Sequence, residues 1–336
     1  MNTRTPHSTD TREPWRRRAV ITTVWSSAIA LALLIASTVI AWSWREELPD
    51  PVASHWNGGS VPDAVSGLAG FLATMGITGI GCLVLFDAIA LFMGRTAGTL
   101  RMAAAGNVWM AGLLATLTAG SLAPQRGLAD AHQVALPGWL LPLALLAPLV
   151  PAVIAAILVP ADRRRPATTA VPAGAPRIPL GEAARAVWLR RVSGGPGAAI
   201  AVGSILLIVV LSIVLNTPGV LALVAVLVLV LGAMLAFQVR VDATGLTARS
   251  LLGWPRTRIR ADEVERASVI DVSPFRDFGG WGWRVGHGGR TGIVLRAGEA
   301  LLVEQSGGRS LVITVDDAEQ GAALLNTMAA RARDRR

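Results

Sequence analysis

The chain has 336 residues, 52% of them hydrophobic and 16% charged, and 31 basic against 22 acidic residues give a net charge of +9. Its single cysteine, Cys82, excludes a disulfide framework and a thiolate zinc cluster. All basic residues are arginine and tyrosine is absent, a bias that points to a GC-rich bacterial genome.

A basic segment, residues 1–18 with Arg4, Arg12, Arg16, Arg17 and Arg18, precedes the first of six apolar stretches. These run Ala19–Trp44, Leu68–Met93, Met102–Ala123, Trp139–Val159, Ala198–Leu215 and Val220–Phe237. A hydrocarbon core of roughly 30 Å takes about 20 helical residues, and a helix satisfies its own backbone where water is absent. Each stretch is therefore predicted to be a membrane-spanning helix. The first also follows a basic start as a signal peptide does, but it is too long for an h-region and lacks a good small-residue cleavage site, so it is expected to be retained. The last two flank Asn216-Thr217-Pro218-Gly219, which reads as the turn of a helical hairpin.

Arginine placement predicts the orientation. The loops after the second and fourth stretches hold Arg95, Arg101, Arg163, Arg164, Arg165, Arg177, Arg185, Arg190 and Arg191, while the opposite side has only Arg45 and Arg126. Basic residues in short loops stay cytoplasmic, so both termini are expected inside. The same arginines suit anionic headgroups; the lipid bilayer is the expected partner and nucleic acid is not.

The outward loop, residues 45–67, contains Leu48-Pro49-Asp50-Pro51-Val52-Ala53-Ser54-His55-Trp56-Asn57-Gly58-Gly59-Ser60-Val61-Pro62-Asp63. Its prolines and glycines give it a defined shape. Pro49, His55, Trp56, Asn57 and Asp63 make it a candidate recognition surface for an extracellular peptide or envelope component. The alternative is that His55 and Asn57 brace the loop against neighbouring helices. His55, Asp63 and His132 are suitable metal-ligand types, but their spacing enforces no convergence, and no metal or cofactor is expected.

The order Leu-Pro, then His, an aromatic and Asn, then Pro-Asp resembles the N-terminal domain of unknown function found in Sdp-type toxin-immunity membrane proteins. Leu48, Pro49, Val52, His55, Trp56, Asn57, Pro62 and Asp63 match over about residues 19–95, while Ser60 replaces the usual glycine and Ala64-Val65 a polar–aromatic pair. The resemblance implies a non-enzymatic envelope protein that resists or senses an extracellular agent.

Asp87 is the one acidic residue inside an apolar stretch, which makes it a candidate functional group. Snorkelling toward Arg95 and Arg101 is the plainer alternative. The fourth stretch holds Pro142, Pro148 and Pro151 and is predicted to bend. Asp87 and the bent helix together support a second reading, a transporter or channel component. The four stretches and their outward loop form a membrane domain over residues 19–160.

Residues 161–197 read as a cytoplasmic linker whose Pro166–Pro179 portion cannot build a core, ending in an interfacial helix over Glu182–Val192. The hairpin occupies 198–237. From 238 to 336, short alternating runs predict strands Gln238–Val241, Gly245–Leu251, Arg256–Arg260, Glu265–Asp271, Gly282–Val285, Gly292–Leu295, Ala300–Gln305 and Ser310–Thr314, then a helix Ala318–Arg333. That order, with Val241-Asp242-Ala243-Thr244-Gly245-Leu246 and Val312-Ile313-Thr314-Val315-Asp316-Asp317, resembles a bacterial pleckstrin-homology-like domain and implies a small β-barrel plugged by one helix. Arg256, Arg258 and Arg260 alternate and share one strand face, a candidate lipid-facing surface. A third reading is a scaffold whose cytoplasmic domain docks a protein partner.

Overall fold

A computed structural model describes residues 13–56, 61–163, 165–181, 184–215, 220–286 and 289–335. Helix α1 (Glu13–Ser43) leads into an antiparallel hairpin of β1 (Val52–His55) and β2 (Ala64–Ser66). Helices α2 (Leu68–Met93) and α3 (Ala97–Leu122) follow, and α3 tightens into a 3-10 turn over Ala123–Gln125. The fourth stretch is broken into α4 (Leu140–Leu146) and α5 (Leu149–Leu158). The break falls at Ala147-Pro148, where proline has no N–H to continue the ladder.

Five stretches are long and apolar enough to cross a membrane: Trp15–Ser43, Leu68–Met93, Ala97–Gln125, Leu140–Leu158 and α6 (Gly195–Val214). The expected sixth, to Phe237, is a shorter apolar helix, α7 (Val220–Met234), because the chain enters a strand at Ala236. The turn at Asn216–Gly219 lies outside the described residues. Val24, Ile35, Ile77, Phe92, Ile157, Leu206 and Ile213 point outward and exposed, as lipid-facing side chains do, while the interior is lined by small residues such as Ala30, Ala104, Ala111, Ala144 and Ala155. Helix α3 is the centre of the bundle. It packs on α1, α2, α4 and α5, and a Cβ at Gly106, Gly112 or Gly120 would lie 2.4, 2.8 or 2.2 Å from Phe86, Pro148 or Leu140.

The C-terminal domain has two open sheets. One is antiparallel in the order β3 (Trp188–Ser193), β4 (Ala236–Asp242), β5 (Gly245–Ser250), β6 (Arg256–Arg260). The other places β7 (Val264–Val272), β10 (Gly298–Gln305), β11 (Arg309–Thr314), β9 (Thr291–Val294) and β8 (Gly282–Val285) side by side, with β9 parallel to β11. A short helix, α8 (Pro274–Phe278), joins β7 to β8. The expected closed barrel is not formed: a 3-10 turn at Ala261–Glu263 carries the chain away from β6, and β6 and β7 share no ladder. Helix α9 (Ala318–Asp334) packs on both sheets, and Phe237, Leu246, Ile259, Ile293, Leu301, Ile313 and Leu325 fill the core.

The segment expected to be a linker with an interfacial helix belongs to this domain. Trp188–Ser193 is a strand because each residue has a ladder partner in β4, from Trp188↔Val241 to Ser193↔Ala236. Its buried Trp188 lies on Gly321 of α9, where a Cβ would sit 3.1 Å from the indole. Upstream, Val171 and Ala175 enter the core. Thr327 Oγ1 accepts the Ile178 N–H at 3.0 Å, and Arg331 donates to the Leu180 and Gly181 carbonyls at 2.8 and 2.7 Å. Residues 165–181 thus strap α9 onto the sheets. The domain consists of this strap, β3 and residues 236–335, with the α6–α7 hairpin inserted between β3 and β4.

Candidate functional site

Three sites named by the sequence lie at three levels of the bundle. At one end stands the β1–β2 hairpin. His55 Nδ1 is 2.7 Å from Asp63 Oδ1, and both side chains are exposed. Pro49 is buried, and Trp56 packs against the cluster of Ala53, Ala131 and Val134. Asn57 lies outside the described residues. His132 turns to Asp130 at 2.9 Å, so it does not join His55 and Asp63; the His132 backbone N–H and then its ring hold the Asp130 carboxyl below the ordinary value. Among the described residues no three His, Cys, Asp or Glu side chains gather as a metal site would need.

The hairpin is gripped from below by Gln125, a residue the sequence did not single out. Gln125 is fully buried; its Oε1 accepts the Ala53 N–H at 2.8 Å and its Nε2 donates to the Ala53 carbonyl at 3.0 Å. Arg126 pairs with Glu47 at 2.7 Å and stacks over Trp44, and Gly127 N–H donates to the Glu47 carbonyl.

Within the bundle, Asp87 of α2 meets α1 and α3. Ser27 Oγ donates to its two oxygens at 2.9 and 2.8 Å, and Asn107 Nδ2 donates to Oδ1 at 2.8 Å. Asn107 is 3% exposed. The alternative pairing with arginine is not formed: Arg101 donates from Nε and Nη2 to the Val159 carbonyl, and Arg95 lies over Trp15 and against Gly289. Asp87 therefore has only neutral partners among the described residues.

At the other end, the α2–α3 connection meets the C-terminal domain. Asp162, after α5, accepts the Ala97 N–H at 3.0 Å on both oxygens, pairs with Arg18 at 3.0 Å and lies 3.9 Å from Arg309 of β11. It joins α1, α3 and the sheet at one point. Beside it a cleft of about 390 Å³ is lined by Thr96, Arg101, Arg256, Arg258, Arg260 and Trp283. The three β6 arginines share the exposed strand face, with Ile259 buried behind them. Arg260 lies 3.8 Å from Asp262. The face opens toward the helix ends rather than into solvent alone, which the alternation could not reveal.

Comparison of the chain with protein-family models, curated proteins and solved structures finds no match.

Proposed function

We propose that the chain is a non-enzymatic protein of a bacterial inner membrane that couples an event at its outward hairpin to its cytoplasmic β domain. It crosses the bilayer six times with both termini inside, an orientation that the arginine asymmetry supports. The α6–α7 pair makes the last two crossings, since its ends are tied to neighbouring strands. The observation that carries this reading is the continuity of Ala97–Gln125. One end of this rod holds the Ala53 backbone and the other is held by Asp162, on which Arg309 of the β domain also converges. At 1.5 Å per residue it is roughly 43 Å long. A displacement of the hairpin has a stiff element through which to reach the basic cleft. The extracellular ligand is a peptide or envelope component, in keeping with the resemblance to the immunity proteins.

Hydrogen exchange on the full chain in nanodiscs tests the coupling. His55→Ala and Gln125→Leu should alter protection at residues 96–101 and 256–260 as well as around the hairpin. Changes confined to residues 50–66 would reject it.

A carrier is the second reading, and the polar contact of α1, α2 and α3 at Asp87 favours it. It requires Asp87→Asn to abolish the cellular phenotype and His55→Ala to spare it; the coupling reading requires the reverse.

A further inference from the structure

The polar cluster at Asp87 is incomplete. A carboxylate offers about four lone-pair positions, and here only one hydroxyl and one amide N–H serve them. Asn107 uses Nδ2 on Asp87 and leaves its buried Oδ1 without a partner, although the residue is 3% exposed. Thr23 Oγ1 is likewise buried and unpartnered. Thr23 precedes Ser27 by one helical turn, so the two lie on one stripe of α1. Native interiors rarely leave such atoms unpaired; one belongs to a side chain that touches Asp87, the other lies a helical turn from Ser27, which also touches it, and together they call for a ligand.

The chemistry of the unsatisfied atoms defines the occupant. All are oxygens, hard ligands that select hard cations over zinc or copper. Among the described residues no three His, Cys, Asp or Glu side chains gather anywhere, and Asp87 is the one charged side chain in this hydrogen-bonded cluster, so the cluster with an ionised carboxylate calls for a single positive charge. Neither nearby arginine supplies it, since Arg95 and Arg101 are directed elsewhere. A water molecule would satisfy the hydrogen bonds and leave the charge uncompensated.

We infer that Asp87, Ser27, Thr23 and Asn107 Oδ1 form an intramembrane site for a monovalent alkali cation at the junction of α1, α2 and α3. The cation bridges three helices, so its binding stabilises the bundle in proportion to its occupancy. The inference is independent of the coupling role proposed for the hairpin.

The test is thermal unfolding of the full chain in zwitterionic nanodiscs, followed by tryptophan fluorescence in NaCl, KCl or choline chloride at equal ionic strength. The midpoint should rise saturably with Na⁺ or K⁺ and stay flat in choline. Asp87→Asn should abolish the response, and Thr23→Val, nearly isosteric, should raise the half-saturating concentration by about tenfold. Identical midpoints in all three salts would overturn the site, as would an undiminished alkali response in Asp87→Asn. A midpoint that follows pH and ignores alkali ions would overturn it in favour of a proton. If Asp87→Asn does not fold, Thr23→Val decides, and an unchanged half-saturating concentration rejects the assignment.

Discussion

Gln125 treats Ala53 as a strand neighbour would: its side-chain amide takes both the N–H and the carbonyl of one alanine, on the edge of β1 that faces away from β2. Both atoms of the hairpin backbone are thereby satisfied in a buried position without a third strand. Gln125→Leu leaves them unpaired, at a cost of about 2–4 kcal/mol. Exchange protection at residues 52–54 should fall sharply, and further than at residues 256–260, which feel the change only through α3.

Asn326 repeats the device inside the C-terminal domain. Its Oδ1 accepts the Ala267 N–H at 2.8 Å, and its Nδ2 donates to the carbonyls of Ala267 and Pro176 at 2.9 and 3.0 Å. One fully buried side chain thus joins α9, β7 and the strap. Asn326→Leu keeps the volume and loses all three bonds, which should cost about 3 kcal/mol. Denaturant unfolding and protease cleavage within residues 166–181 would both report the loss.

Ser193 and Ala236 are paired across one ladder although two apolar helices lie between them. Residues 239–336 alone lack β3 and the strap, and should remain unfolded when expressed. A chain joining 165–193 to 236–335 through Asn-Gly should fold, because that dipeptide favours the two-residue turn of a β-hairpin. Circular dichroism and a cooperative melt would distinguish the two.

Asp242 sits at the β4–β5 turn. Burial pushes its carboxyl up, but donation from the Thr244 hydroxyl and N–H, with Arg240 close by, outweighs it and holds the group below its ordinary value. A lowered folded value means that the contribution to stability is complete above the unfolded value of about 3.9 and is lost as pH falls through the folded one. Asp242→Asn should therefore flatten the acid limb of the stability curve below about pH 4 while reducing stability near neutrality. Urea midpoints across that range would show it.

All eight strands predicted after residue 237 are present with boundaries within two residues, because alternation and glycine punctuation are local signals. Strand β3 was not legible for a physical reason. Its inward residues are Trp188 and Val192, four apart, a spacing that suits a helix as well as a strand, and its partner lies beyond the helical hairpin. The strap escaped because α9 side chains hold its backbone, which leaves no periodicity to read. Asp87 stood out by charge alone, yet Ser27 and Asn107 did not, since which faces of three helices meet is settled by small-residue packing rather than by any local pattern.

Insertion of α6 and α7 into the middle of a sheet imposes an order on synthesis. Trp188 and its strand leave the ribosome well before Phe237 exists to pair with them, so the nascent chain carries an open β edge until both apolar helices have been made. Completion of the four-stranded sheet thus waits until that pair has also been set aside from it, so a chain in which the pair is misplaced keeps an unpaired β3 edge.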